Sequence, residues 1–142
     1  MEESISWWFQ GLNAGLATLP EDAPFFRACA ENCLGQGTLD FYLKLKADTG
    51  GTPDAFFAAL SRIEGLDAEI LESGRMYRLI FCTCTCCLHN CGYVQAPQLC
   101  CCSRASILLA LEHLWPEYSA AVKTEETILG GAARCSFQIS LD

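Results

Sequence analysis

The stretch AEILESGRMYRLIFCTCTC, residues 68–86, decides how the rest of the chain is read. Before it, apolar residues recur at helical spacing. Within it, Ala68–Glu72 and Met76–Cys86 read as two strands flanking Ser73-Gly74, a hairpin turn. Upstream, residues 4–16 read as a helix, weakened by Gly11 and Gly15. Asp22 is placed to cap a second helix through about Leu34, with Pro24 tolerated in its first turn and Gly35 and Gly37 stopping it. Thr38 starts a short helix to Lys46, closed by Gly50-Gly51. Thr52-Pro53-Asp54 then gives a strong start signal, a cap followed by Pro and an acid, for a helix to about Glu64.

Downstream, Ser103–Leu114 returns to helical spacing, with Ile107, Leu108, Leu111 and Leu114 on one face and Trp115-Pro116 at the end. Ala120–Thr127 and Ala133–Leu141 form a last hairpin around Gly130-Gly131. Along its second arm Cys135, Phe137, Ile139 and Leu141 alternate with polar residues and should face the core. Helices first and antiparallel strands later predict an α+β fold, N-terminal helices packed on an antiparallel β-sheet. The chain reads as one domain, 1–142, with a helical extension over 1–20 and a cysteine-rich core over 21–142.

Composition narrows the function. A chain of 142 residues, half of them apolar, can build one core without staples. The net charge of −8 and the scatter of only nine Lys and Arg argue against nucleic acid or an anionic membrane as partner. The start MEESISWWFQ carries no basic segment or cleavage site, so no signal peptide is expected, and no apolar run approaches the roughly 18 residues of a spanning helix. A cytoplasmic location is expected, where thiols stay reduced and clustered cysteines bind metal or do chemistry. No nucleophile elbow, phosphate-binding loop, dinucleotide fingerprint or HExxH motif is present.

The chemistry lies in the cysteines, eight of eleven of which fall between Cys82 and Cys102. On a strand, Cys82, Cys84 and Cys86 would share one face at a spacing of about 6.5–7 Å, with Thr83, Thr85 and Cys87 on the other. Cys100, Cys101 and Cys102 fall at a helix start. With Ser103 as cap, the positive end of the helix dipole would favour the Cys102 thiolate, the form that ligates metal and attacks electrophiles. Cys29 and Cys33, spaced i,i+4, share a helix face. Helix, strand and loop can thus each supply sulfur, and zinc takes four ligands. An iron–sulfur cluster also takes four cysteines and is expected behind zinc; the spacing matches neither a zinc ribbon nor a ferredoxin, since two clean CxxC knuckles are missing. Cys135, Cys82 and Cys87 read as packing residues.

The early pair Cys29 and Cys33, the CTC of Cys84 and Cys86 before LCCCS, and the closing TILGGAARCSFQISL together resemble a known pattern. Ile128, Leu129, Gly130, Gly131, Cys135, Phe137 and Ile139 resemble the end of vinyl-reductase-type small-molecule-binding domains. The layout over roughly residues 25–142 is similar to that of L-2-amino-thiazoline-4-carboxylic acid hydrolase-like proteins. The resemblance implies the α+β fold of nitric-oxide-signalling ligand-binding domains and Golgi transport subunits, with a pocket between sheet and helices. It also implies metal ligation by Cys84, Cys86, Cys100 and Cys102. The extra Cys82, Cys87, Cys91 and Cys101 leave the ligand register open.

Among the other residues, His89 reads as an exposed loop histidine with a nitrogen-ligand alternative. His113 reads as a cap on the last helix carbonyls. Trp7, Trp8 and Phe9 read first as core of a terminal helix, with a ligand pocket or homodimer contact as alternatives. Phe25-Phe26 and Phe56-Phe57 read as core with one ring partly exposed, and Glu125-Glu126 as a solvated face. The leading expectation is a zinc-holding ligand-binding or sensor domain for a small molecule, with Cys29, Cys33, Cys84, Cys86, Cys100 and Cys102 as candidate ligands. A hydrolase with Cys102 or Cys101 as nucleophile and a thiol–disulfide switch at Cys100–Cys102 are the alternatives, and whether the chain is an enzyme stays open.

Overall fold

Residues 2–142 are described by a computed structural model. Four helices come first: α1 (Glu3–Leu16), α2 (Pro24–Cys33), α3 (Leu39–Asp48) and α4 (Pro53–Leu60). A hairpin of β1 (Leu66–Glu72) and β2 (Met76–Phe81) follows. A single turn, α5 (Cys87–Asn90), and a 3-10 turn, Pro97–Leu99, lead into the long α6 (Cys100–Leu114). A second hairpin, β3 (Ala120–Glu126) and β4 (Cys135–Leu141), closes the chain. All neighbouring strands are antiparallel, in the order β1-β2-β4-β3. The α+β fold expected from the periodicity is what the chain adopts, with the two hairpins side by side and α6 crossing between them.

Local chemistry accounts for several element boundaries and corrects others. Thr52 caps α4 as its sequence demands, its hydroxyl accepting from Ala55 N–H at 3.3 Å. Asp54 in the same turn holds the first hairpin: its carboxylate accepts from Gly74 N–H at 2.8 Å, from the Tyr77 hydroxyl at 2.6 Å and from the Ser73 hydroxyl. Asp22 makes no cap; α2 begins behind Ala23, with Pro24 at its first position. Between α2 and α3 runs a wide turn, Leu34–Thr38, broken by Gly37 at φ 108°. His113 does not close α6, because the Lys46 ammonium reaches the Leu114 carbonyl instead.

The largest correction concerns β2, expected to reach Cys86. It stops at Phe81, which pairs with Leu66 on one side and Cys135 on the other. Those residues begin β1 and β4, so beyond Phe81 the strand has no ladder left on either edge. One last bond, Cys82 N–H to the Gly65 carbonyl at 2.9 Å, ends the pairing. Residues 82–86 form an irregular loop, and the expected row of sulfurs on one β face does not exist.

The core lies between the inward sheet face and α4 and α6. It gathers Phe56, Phe57, Leu60, Tyr77, Leu79, Leu111, Leu114, Trp115, Val122, Phe137, Ile139 and Leu141. The β4 alternation holds: Cys135, Phe137, Ile139 and Leu141 are all buried. Phe56 and Phe57 are both buried, whereas Phe26 is buried and Phe25 exposed. On its other side α6 packs against α2 through Ala30, Leu34, Leu109 and Ala110, the two alanines being small enough to let the helices approach. Trp7 and Trp8 are 62% and 66% exposed, against the core reading; α1 instead docks through Phe9, stacked on Tyr93 at 4.7 Å, and Leu16. No helix among the described residues is long and apolar enough to cross a membrane.

Candidate metal centre

Starting α6 at Cys100 rather than Ser103 decides where the sulfurs go. Consecutive residues on a helix point about 100° apart, so the three cysteines of the first turn take three directions. Cys100 is buried toward the sheet end, on the lining of a cleft. Cys102 faces α2 and packs among Ala105, Ala30 and Leu34. Cys101 lies beside Glu21 and Arg104, themselves joined at 2.8 Å. A disulfide between any two of these three would have to open the first turn of α6.

Cys29 and Cys33 from α2 and Cys86 from the irregular loop are near enough to Cys102 to raise its thiol. Of the three, Cys33 weighs most on the Cys102 thiol. Cys33 is exposed, and Cys29, Cys86 and Cys102 are partly buried, so the group opens to solvent along one side. Burial pushes the Cys102 thiol up to about 12, and the neighbouring sulfurs of Cys33, Cys29 and Cys86 add to it. Cys29 is raised for the same two reasons, burial and then Cys33. The thiolate that a helix dipole was expected to favour at Cys102 is therefore disfavoured: Ser103 is not a cap, and desolvation outweighs the field of an N-terminus that the chain does not point at solvent.

A second group sits at the end of the sheet. Cys84, Cys100 and Cys135, together with Cys86, line a cleft of about 40 Å³ whose floor is Phe81, Leu99, Leu129 and Phe137 and whose rim carries Thr83, Thr85 and Ser103. The Cys135 sulfur accepts the Ile128 N–H at 3.3 Å, and Thr127 stands near enough to Cys100 to pull its thiol down. Burial pushes Cys100 up to about 11 against the pull of Thr127, with Cys135 and Cys84 adding. The six candidate ligands thus divide: Cys29, Cys33 and Cys102 fall in one group, Cys84 and Cys100 in the other, and Cys86 stands between them.

All eleven cysteines are free thiols. Among the described residues no three His, Cys, Asp or Glu side chains stand in an arrangement ready to hold an ion, so either group would have to draw its sulfurs in around one. Cys82, Cys87 and Cys91 are exposed, and none of them lines the cleft. His89 turns its Nδ1 to the Val94 carbonyl at 3.4 Å. His113 lies eleven residues along α6 from Cys102, roughly 16 Å away. Glu125 is held below the ordinary carboxylate range by hydrogen bonds from Arg78, with Ser136 assisting, and has no carboxylate partner in a catalytic pair.

Cys135 and Thr127 are the site residues that composition and spacing missed. Cys135 was read as packing alone, and it does pack. The signal that would have found it is register: its pairing with Phe81 sets it beside the loop that carries Cys84.

No protein-family model, curated protein or solved structure matches this chain.

Proposed function

We propose that this chain is a metal-binding domain in which Cys29, Cys33, Cys86 and Cys102 hold zinc. The observation that carries the reading is the packing of Cys102: it sits against Ala30 and Leu34, the residues that follow Cys29 and Cys33 on α2, and shares an apolar cluster with Cys86 of the loop. Four thiolates are a complete tetrahedral set for zinc, the arrangement of sites that hold a fold rather than catalyse. Sulfurs that raise one another's proton affinity are the ones a dication relieves, with protons released on binding. In this reading zinc ties α2 and the 82–86 loop to α6, in a cytoplasm that keeps thiols reduced, and the adjoining cleft serves a small ligand, as the likeness to vinyl-reductase-type domains implies. The acidic surface fits no nucleic acid or membrane role, and Trp7 and Trp8 offer a face to a second copy of the chain.

Metal analysis of anaerobically purified protein tests the reading. The expected result is at least one equivalent of zinc, lost in Cys33→Ser and Cys102→Ser; under about a tenth of an equivalent of any transition metal sinks it.

One observation favours a second reading. Cys102 packs against Leu34, the residue after Cys33, where α2 meets α6, so an external two-electron oxidant could join Cys33 and Cys102 as a disulfide between helices. Thiol trapping with mass spectrometry separates the two: bound thiolates resist alkylation until a chelator is added, whereas a disulfide yields only to reductant. A hydrolase using Cys101 or Cys102 has less support, since burial raises both thiols and neither histidine turns toward them.

A further inference from the structure

The cleft at the sheet end is a separate piece of chemistry from the α2–α6 sulfurs. Three chain segments deliver Cys84, Cys100 and Cys135 to its wall: the irregular loop after β2, the first residue of α6 and the first residue of β4. Two of them are anchored on regular elements, and the third sits on a loop with no ladder bonds to constrain it. One donor points at an anchored sulfur, the Ile128 N–H at Cys135, and the Thr127 side chain stands near Cys100. Thiols are poor acceptors, whereas donors of this kind are what hold and tune a metal-bound sulfur. The volume of about 40 Å³ exceeds the roughly 10–15 Å³ that one water needs. Phe81, Leu99, Leu129 and Phe137 in its lining offer no ligand, and the one further sulfur there, Cys86, is the sulfur that stands between the two groups.

We propose that Cys84, Cys100 and Cys135 form a second site, for a thiophilic metal ion bound by three sulfurs, with the fourth position open to the cleft. Three protein ligands with one open position are the arrangement of reactive rather than structural zinc sites. Soft ions are favoured because every ligand is a sulfur. The open position faces Thr83, Thr85 and Ser103, and takes water or a small thiol. This proposal does not rest on the four-sulfur reading, and the two fail separately.

The test titrates metal-free, reduced, full-length protein with Cd(II) under argon, with a non-thiol reductant. Sulfur-to-cadmium charge-transfer absorption counts the bonds and native mass spectrometry counts the ions. The expected result is two ions on the wild type, one on Cys84→Ser and one on Cys29→Ser/Cys33→Ser. Cys84 lies on an irregular, partly exposed loop, so its replacement leaves the core intact; Cys135→Ala, within the core, is the second variant, and circular dichroism checks its fold. Adding a small thiol should raise the charge-transfer band in Cys29→Ser/Cys33→Ser, where the open site remains, and leave it unchanged in Cys84→Ser. One ion on the wild type that survives Cys84→Ser overturns this proposal and leaves the four-sulfur site standing. One ion lost with Cys84→Ser but kept in Cys29→Ser/Cys33→Ser does the reverse. A band that ignores added thiol overturns the open position.

Discussion

The two ends of α6, about 22 Å apart, are built on opposite terms. At the C-terminal end Leu114 and Trp115 are buried; Phe56 meets the Trp115 ring edge-on at 5.2 Å, and Phe57 stacks on Tyr77 at 4.3 Å. The polar groups there are matched, with Trp115 Nε1 donating to the Gly51 carbonyl at 3.0 Å and Lys46 to the Leu114 carbonyl. At the N-terminal end no side chain caps the helix, the adjoining loop has left the sheet, and sulfurs fill the space. Apolar contacts complete the first end by themselves. The second end consists of polarisable groups that repel one another when ionised, and in the proposed reading an ion completes it.

That contrast can be broken most forcefully at the aromatic end. Phe57→Ala should cost about 3–5 kcal/mol in chemical denaturation, by the same amount with and without chelator. A loss that depends on metal would mean the ends are not independent. Asp54→Asn, next in size, should cost about 1–3 kcal/mol near neutral pH by weakening the anchor for Ser73, Gly74 and Tyr77. Hydrogen bonds from Ser73, Tyr77 and Gly74 hold the Asp54 carboxyl below its ordinary value. Its contribution is therefore full above pH ~4 and fades as pH falls through the lower folded value. The gap between wild type and variant should close in acid; a gap constant with pH would show that charge has no part in it. The smallest effect is expected at the sulfur end. In metal-free, reduced protein, Cys102→Ala should cost about 1 kcal/mol at pH 7. Because the folded thiol is pushed up to about 12 from an ordinary ~8.5, the stability it lends is present below pH ~8.5 and lost as pH rises toward the folded value. Thermal melts of the two proteins should converge across that window, and parallel melts would place the thiol in a wetter setting than its neighbours imply.

How much of this could be read from the chain alone depends on whether a signal was local. Alternation along Cys135–Leu141, the Thr52-Pro53-Asp54 start and the Ser73-Gly74 turn each need only neighbouring residues, and each was legible. The end of β2 was not, because a strand stops where its partners stop, and those partners lie before and far after it in sequence. The start of α6 was misplaced for a related reason: Pro97–Leu99 already winds as a 3-10 turn and hands its geometry straight to Cys100, so no cap is used. That shift of three residues turned the LCCCS run from one reactive patch into three separately directed thiols. Trp7 and Trp8 misled because aromatic content signals burial only when something exists to cover it. For the candidate centre, residue types and the contributing elements were legible, whereas the division into two groups needed the helix phase and the sheet register together.

The wide turn between α2 and α3 has a mechanical consequence. A Cβ at Gly35 or Gly37 would touch nothing within 4 Å, so the joint has clearance on both sides, and Gly37 at φ 108° bends where other residues resist. The helix on one side carries Cys29 and Cys33; the helix on the other carries Lys46, bolted to the far end of α6. If an ion draws in the first helix as proposed, its travel would be taken up as flexure at the joint rather than passed as load to the aromatic end. The joint would then act as a compliant coupling, one end of the molecule moving while the other keeps its alignment.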